Sequence, residues 1–117
     1  MSGQTAQRTQ GRPDPACEQV IALVARRKNV PDELLTSRSR CRFAASRARQ
    51  LAMYLAHVSL GRSLTQVGAV FGRDRTTVSY ACALIEDLRD DPRFDDEVCD
   101  LEQRIAGLVV GASAHEH

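Results

Sequence analysis

The side chains best suited to contact another molecule lie in the stretch 73–80, which reads RDRTTVSY. It combines two guanidinium groups and one carboxylate with several hydroxyls, and Val78 is its only aliphatic side chain. Hydroxyls bond to base edges or phosphates, a threonine methyl can pack on a thymine methyl, and an arginine can reach a guanine edge or a phosphate. These residue types are therefore typical of nucleic-acid recognition.

Two helices joined by a tight turn are predicted to position this stretch. Ser63 and Gln66 have the spacing of a capping box at the start of a short helix, and Gly72 is predicted to end it. Asp74 is then predicted to cap a longer helix. A short helix, a tight turn and a longer helix form the layout of a helix-turn-helix, whose second helix enters the major groove.

The longer helix separates an apolar face from a polar one. At about 100° per residue, the positions predicted to face the core are Val78, Ala81, Ile85 and Leu88. The other side carries hydroxyls, an aromatic edge and a small residue, at Thr76, Ser79, Tyr80 and Ala83. The simpler interpretation is a solvated helix face, because many helical domains contain such a pair of helices.

The remaining sequence predicts an all-α fold, a small bundle of about five to six helices. Expected elements are a helix over 15–28 capped by Asp14, a helical piece in NVPDELL, an extended arm in TSRSRCR, and long helices over 44–60 and 94–109. Leu51, Tyr54, Leu55 and Val58 should form the core face of the helix over 44–60, and Asp91-Pro92 should close the helix before the last one. We expect a disordered tail over 1–13, a DNA-binding domain over 14–110 and a flexible tail over 111–117.

Charge is distributed unevenly along the chain. Thirteen basic and five acidic residues precede Glu86, whereas three basic and ten acidic residues follow from there. Such asymmetry suggests one surface for polyanions and another that faces elsewhere. The four cysteines are far apart without a C-x-x-C pair, so we expect small core residues in a reducing cytoplasm. The start of the chain has no apolar stretch typical of a secretory signal, and no apolar run would cross a membrane.

The segment from Ala48 to Glu86 resembles the C-terminal DNA-binding domain (domain IV) of the bacterial chromosomal replication initiator DnaA. Members of that family carry an arginine-rich stretch followed by three short motifs. The matching residues here are Arg49-Gln50, Ala52, Tyr54-Leu55, Ser63-Leu64, Val67-Gly68, Phe71-Gly72, Arg73-Asp74, Thr76-Thr77-Val78 and Ala81-Cys82. The resemblance covers roughly residues 17–105 and implies a Trp-repressor-like bundle that binds double-stranded DNA.

The resemblance also implies roles for individual residues. Asp74, Thr76 and Thr77 match positions that read bases in the major groove, and Leu64 and Thr65 match the helix start that lies against DNA. Arg40 matches the arm arginine that enters the minor groove, although Arg38 or Arg42 could take that role. Arg73, Arg75 and Tyr80 complete the predicted DNA-binding set, because the arginines flank the helix start and Tyr80 lies on its exposed face. The candidates for contact with DNA phosphates are Arg38, Arg40, Arg42, Arg62 and Arg73.

Departures from the family pattern bear on sequence preference more than on DNA binding. Arg75 and Tyr80 replace two family histidines, and Thr65 replaces a proline. The chain also has no G-x-x-x-x-G-K-[ST] phosphate loop and is too short for an ATPase domain, so we expect DNA recognition without a nucleotide cofactor and not a complete initiator.

Two other function classes compete with DNA binding at DnaA-box-like sites. The first is a helical interaction module whose acidic C-terminal helix binds a protein partner. The second is an enzyme, which the sequence disfavours because it has no nucleophile–base pair, phosphate loop or metal-ligand set. The expected role of the DNA-binding protein is regulation of replication initiation or of transcription, on the nucleoid.

Overall fold

A computed structural model describes residues 14–36 and 43–116, with side chains described for 14–36 and 44–108. Its helices are α1 (Pro15–Lys28), α2 (Asp32–Thr36), α3 (Phe43–Val58), α4 (Leu64–Phe71), α5 (Arg75–Leu88) and α6 (Pro92–Glu116). Six helices, with no strand among the described residues, confirm the predicted all-α bundle. No helix in this part of the chain is both long and apolar enough to cross a membrane.

The first helix has the ends that the sequence predicts. Asp14 accepts a hydrogen bond from the Cys17 backbone N–H at 3.3 Å, and Pro15 occupies the first helical position, where a missing N–H has no cost. Asn29 ends the helix in the left-handed conformation, with φ at 60°. The side chains of Cys17, Val20 and Val24 are fully buried, and they turn one face of α1 towards the core.

Helix α3 is the centre of the bundle and packs against α1, α2, α4 and α5. Six consecutive residues, Leu51 to Ala56, are buried, so this helix is enclosed on all sides over more than one turn. A single predicted apolar stripe therefore underestimates how much of α3 is buried. The inclusion of Val58 in the core face was wrong. Val58 is the last residue of α3, next to the turn at Gly61, and its side chain is 48% exposed.

The last helix differs from the prediction at both ends. Asp91-Pro92 begins α6 instead of only closing α5, because Asp91 Oδ1 accepts from the Arg93 backbone N–H at 3.1 Å and Pro92 takes the first helical position. At the other end, helical backbone continues to Glu116, where a flexible tail is predicted from residue 111. Alanines favour helix there, and one glycine costs only about 1 kcal/mol in a helix interior.

Acidic residues of α6 hold that helix against the basic end of α1. Arg27 Nη1 donates to Asp100 Oδ2 at 2.7 Å, and Lys28 Nζ lies 3.2 Å from Glu97 Oε1. Asp100 also accepts from Arg104 on its own helix at 3.0 Å. Part of the charge asymmetry seen in the sequence is therefore used for packing between the two ends of the chain.

Arg89, just after α5, joins three helices through its guanidinium group. It donates to Asp95 Oδ1 at 2.5 Å, to the Tyr54 hydroxyl at 2.9 Å and to Glu102 Oε2 at 3.0 Å. The Tyr54 hydroxyl in turn donates to Glu86 Oε2 at 2.7 Å, and burial raises the pKa of Tyr54 to about 12. Of the cysteines whose side chains are described, Cys17 is buried as predicted, whereas Cys82 and Cys99 are only half-buried, and all three are free thiols.

Candidate nucleic-acid interface

Helix α4 begins with the predicted capping box. The Ser63 hydroxyl accepts from the Gln66 backbone N–H at 3.0 Å, and the Gln66 side chain accepts from the Ser63 backbone N–H at 2.8 Å. Both orphan donors at this helix start are satisfied, which fixes where the helix begins. Leu64 is half-buried and Thr65 is exposed, so the start of α4 presents a mixed apolar and hydroxyl surface.

The turn between α4 and α5 depends on two glycines. Gly72 ends α4 with φ at 68°, a left-handed conformation that glycine adopts without a steric cost. Gly68 lies under the turn, and a Cβ atom added there would overlap the Arg73 carbonyl oxygen. The Arg73 backbone N–H donates to Gly68 O at 2.9 Å, and its guanidinium donates to Phe71 O at 3.0 Å. The angle between α4 and α5 is therefore set by close backbone contact.

Asp74 caps α5 as predicted. Its Oδ1 atom accepts from the Thr77 backbone N–H at 2.9 Å, and this hydrogen bond lowers the pKa of the exposed carboxyl group. The carboxylate therefore stays ionised near neutral pH. A carboxylate has about four acceptor sites, so capping leaves it able to accept a further hydrogen bond from a ligand.

The two faces of α5 separate as the sequence predicts. Val78, Ala81 and Ile85 are buried in the core. On the opposite side, Thr76, Thr77 and Ser79 are exposed and Tyr80 is 66% exposed. An open depression at the start of the two helices is lined by Leu64, Arg75, Thr76, Ser79 and Tyr80.

The motif is poor in acidic residues, and one predicted phosphate contact has a protein partner. Asp74 is the only acidic residue between Ser59 and Ile85. Arg62, expected from the sequence to contact phosphate, donates to Asp14 Oδ2 at 2.9 Å and Oδ1 at 3.3 Å. It therefore ties the loop before α4 to the start of α1.

The predicted arm arginines Arg38, Arg40 and Arg42 lie outside the described residues. The elements on either side of that segment are held together, because the Arg49 guanidinium on α3 donates to Leu35 O at 3.1 Å and to Leu34 O at 3.3 Å. Leu35 is itself fully buried. The two ends of the arm are thus attached to the same core as the helix-turn-helix.

Two residues of the site were not among the predicted contacts. Ser79 lines the depression one helical turn after Arg75, and its place on the exposed face of α5 was a signal for it. Gly68 permits the close approach of the turn, and a glycine within a short helix is a recognised sign of such an approach.

The fold and this geometry define the protein as a helix-turn-helix domain, with α4 as the first helix of the motif and α5 as the second. The family described as "Bacterial dnaA protein helix-turn-helix" matches residues 17–85. The chain belongs to this family.

Curated relatives named chromosomal replication initiator protein DnaA are similar to most of the chain. The protein from Bartonella quintana (strain Toulouse) is 41% identical over 91 residues, which cover 77% of this chain and 18% of that protein. The protein from Brucella abortus biovar 1 (strain 9-941) is 46% identical over 72 residues, 61% of this chain and 14% of its own. The protein from Chloroflexus aurantiacus (strain ATCC 29366 / DSM 635 / J-10-fl) is 35% identical over 95 residues, which cover 80% of this chain and 20% of that protein. The chain thus spans a fifth or less of these relatives' length.

Proposed function

We propose that this protein binds double-stranded DNA sequence-specifically at DnaA-box-like sites and acts on the nucleoid in the regulation of replication initiation or of transcription. The observation that carries this proposal is the exposed start of α5. Its arginine and hydroxyl side chains face outward while its apolar side is buried, and it lies within the part that matches the DnaA helix-turn-helix family. The proposal concerns DNA recognition alone.

The proposed contacts divide into base readers and backbone contacts. Asp74, Thr76 and Thr77 at the start of α5 would reach base edges in the major groove, because N-terminal residues of the second helix take that position in such motifs. Leu64 and Thr65 at the start of α4 would lie against the DNA beside them. Further proposed contacts at the two helix starts come from Arg73, Arg75 and Tyr80. The arm arginines Arg38, Arg40 and Arg42 would reach the neighbouring minor groove.

A gel-shift titration on a duplex with a DnaA box tests the proposal, with a scrambled duplex as control. If about four arginines neutralise phosphates, log K should fall with log salt at a slope of about −3.6, from about −0.9 per contact. Preference for the box should persist at each salt concentration. Equal affinity for both duplexes would refute sequence-specific binding, and a salt-insensitive complex would refute phosphate neutralisation.

The arm is proposed to read the minor groove independently of α5. Arginine is attracted to a narrow A·T-rich groove by its negative potential. Arg40→Ala should therefore weaken binding most on boxes with an A·T-rich flank, with Arg38→Ala and Arg42→Ala measured beside it. Equal, flank-independent losses for all three variants would reduce the arm to phosphate contacts.

The competing function is a protein-interaction module that uses α6. On this helix the Leu108 side chain is 44% exposed and Asp96 is exposed, and the exposed Asp90 and Asp91 directly precede it. An acidic surface repels DNA, so this function and DNA binding would use different surfaces of the molecule. Absence of binding to any duplex would favour the interaction module. Genome-wide mapping of bound DNA would separate replication origins from promoters.

A further inference from the structure

Arg75 has no role in the folded protein that explains its position. It is the first residue of α5, it is exposed, and no described residue pairs with its guanidinium. The N-terminus of a helix carries a partial positive charge, so a cation there is disfavoured unless an anionic or hydrogen-bond-accepting ligand is present. The side chain is thus available to a ligand.

The geometry places Arg75 among the base-reading residues instead of at their edge. The capping bond of Asp74 fixes where α5 begins, which sets the direction of every side chain in its first turns. Arg75 and Ser79 lie one turn apart, and both line the depression shared with Leu64, Thr76 and Tyr80. A phosphate contact would be expected on the outer flank of the helix, whereas this depression lies on the face that would enter the groove.

An arginine at this position is suited to recognise guanine. The planar guanidinium donates two parallel hydrogen bonds, and guanine presents the matching pair of acceptors, O6 and N7, in the major groove. The neighbouring Asp74 retains acceptor capacity beyond its capping bond and can accept from the amino group of the paired cytosine. Two adjacent side chains can therefore contact both bases of one G·C pair.

We infer that Arg75 is a specificity-determining residue that selects a G·C pair within the bound site, with guanine contacted by Arg75 and cytosine by Asp74. This inference rests on the proposed DNA-binding function. It assigns this chain a preferred site that differs at one base pair from that of the variant Arg75→His.

A selection from randomised duplexes tests the inference with wild-type protein, Arg75→His and the control Arg93→His, an exposed arginine on α6. Wild type and Arg93→His should enrich the same site, with G·C favoured by about 5- to 150-fold at one position, as a bidentate contact worth about 1–3 kcal/mol gives. Arg75→His should lose that preference and keep the rest of the site. If Arg75→His enriches the same site with lower affinity, Arg75 is a phosphate contact and the inference is wrong. If no protein enriches any site, the proposed function fails as well.

Base analogues provide a second test that needs no variant. Replacing the selected guanine by 7-deazaguanine removes N7 and should weaken wild-type binding about 3- to 10-fold, because one of two hydrogen bonds is lost. Inosine keeps O6 and N7 and lacks only the minor-groove amino group, so it should bind like guanine. Equal affinity for 7-deazaguanine and guanine would overturn the contact while leaving sequence-specific binding in place.

Discussion

The two ends of α5 carry arginines in opposite environments. Arg89 at the C-terminal end has a side chain that is only 19% exposed, and it donates to two carboxylates and a tyrosine hydroxyl. Arg75 at the N-terminal end is exposed and has no carboxylate partner within the described residues. The same residue type thus stabilises the fold at one end and is available to a ligand at the other.

The helix dipole makes this difference informative. A cation near a helix C-terminus is stabilising by about 0.3–1 kcal/mol, whereas the same charge near the N-terminus is not. Arg89 follows this rule and Arg75 does not. Residues that contribute to function at the expense of stability are expected at binding sites. Removing Arg89 should therefore destabilise the fold, whereas removing Arg75 should change the DNA preference and leave the fold stable.

The largest loss of stability is expected for Arg89→Met. The variant keeps much of the aliphatic volume but leaves Asp95, Glu102 and the Tyr54 hydroxyl without their shared donor. Unfolding free energy should fall by about 3 kcal/mol, since hydrogen bonds to charged groups are worth about 1.5–3 kcal/mol each and are not additive. Denaturant unfolding measures it, with Arg93→Met as an exposed control that should change stability little. A loss no larger than that of the control would mean that the Arg89 contacts do not stabilise the bundle.

Gly68→Ala should disturb the packing of α4 under the turn that leads into the exposed end of α5. The new methyl group would meet the Arg73 carbonyl oxygen, and relief requires a backbone shift that costs about 2 kcal/mol. DNA affinity should fall too, because α5 is displaced. Gly107→Ala is the matched control. A Cβ there meets nothing within 4 Å, and the change should stabilise α6 by about 0.8 kcal/mol. Similar effects of the two substitutions on unfolding and binding would contradict a close-packed turn.

Asp14→Asn should have a smaller effect that depends on pH. The hydrogen bond from Arg62 lowers the pKa of Asp14 from 3.8 to about 2. The ionised carboxylate therefore contributes stability that is fully present above about pH 4 and lost as the pH falls towards 2. Asparagine keeps the helix cap but loses the ion pair, so the variant should be about 1 kcal/mol less stable at pH 7.

Thermal unfolding between pH 3 and pH 7 measures this difference between wild type and Asp14→Asn. The gap should narrow as the pH falls. A constant gap across the range would show that the ionised form of Asp14 is not what stabilises the contact with Arg62.

The smallest stability effect is expected for Arg75→Ala. The side chain has no protein partner among the described residues and occupies the disfavoured end of the dipole, so unfolding free energy should change by less than about 0.5 kcal/mol. Any change should be a gain. A loss near that of Arg89→Met in parallel denaturant titrations would remove the contrast between the two ends of α5.

Local rules in the sequence predicted the helix-turn-helix well. The capping box at Ser63, the end at Gly72 and the cap at Asp74 are each determined by neighbouring residues, and the structure confirms all three. The same rule was applied unevenly, however. Asp14-Pro15 was interpreted as a helix start, whereas Asp91-Pro92 was interpreted only as a stop, and both dipeptides begin helices.

Features that depend on distant parts of the chain could not be predicted in the same way. The enclosure of α3 follows from packing of four other helices around it. Arg62 pairs with Asp14, 48 residues away, and Arg89 donates to Tyr54, 35 residues away, so these two contacts have no local signature. For that reason Arg62 resembled the other arginines near the motif, and only the fold distinguishes it from Arg75.

The most direct test of the central claim is an NMR titration of isotope-labelled protein with a duplex that carries the selected site. If DNA lies on the starts of α4 and α5, the largest amide shifts should fall on residues 63–65 and 73–80. Amides of α6 between Arg93 and Gln103 should shift little, because that helix is acidic and is attached at the C-terminal end of α5, one helix length from its exposed start. Largest shifts on α6, or no shifts at saturating duplex, would contradict DNA binding through the exposed start of α5.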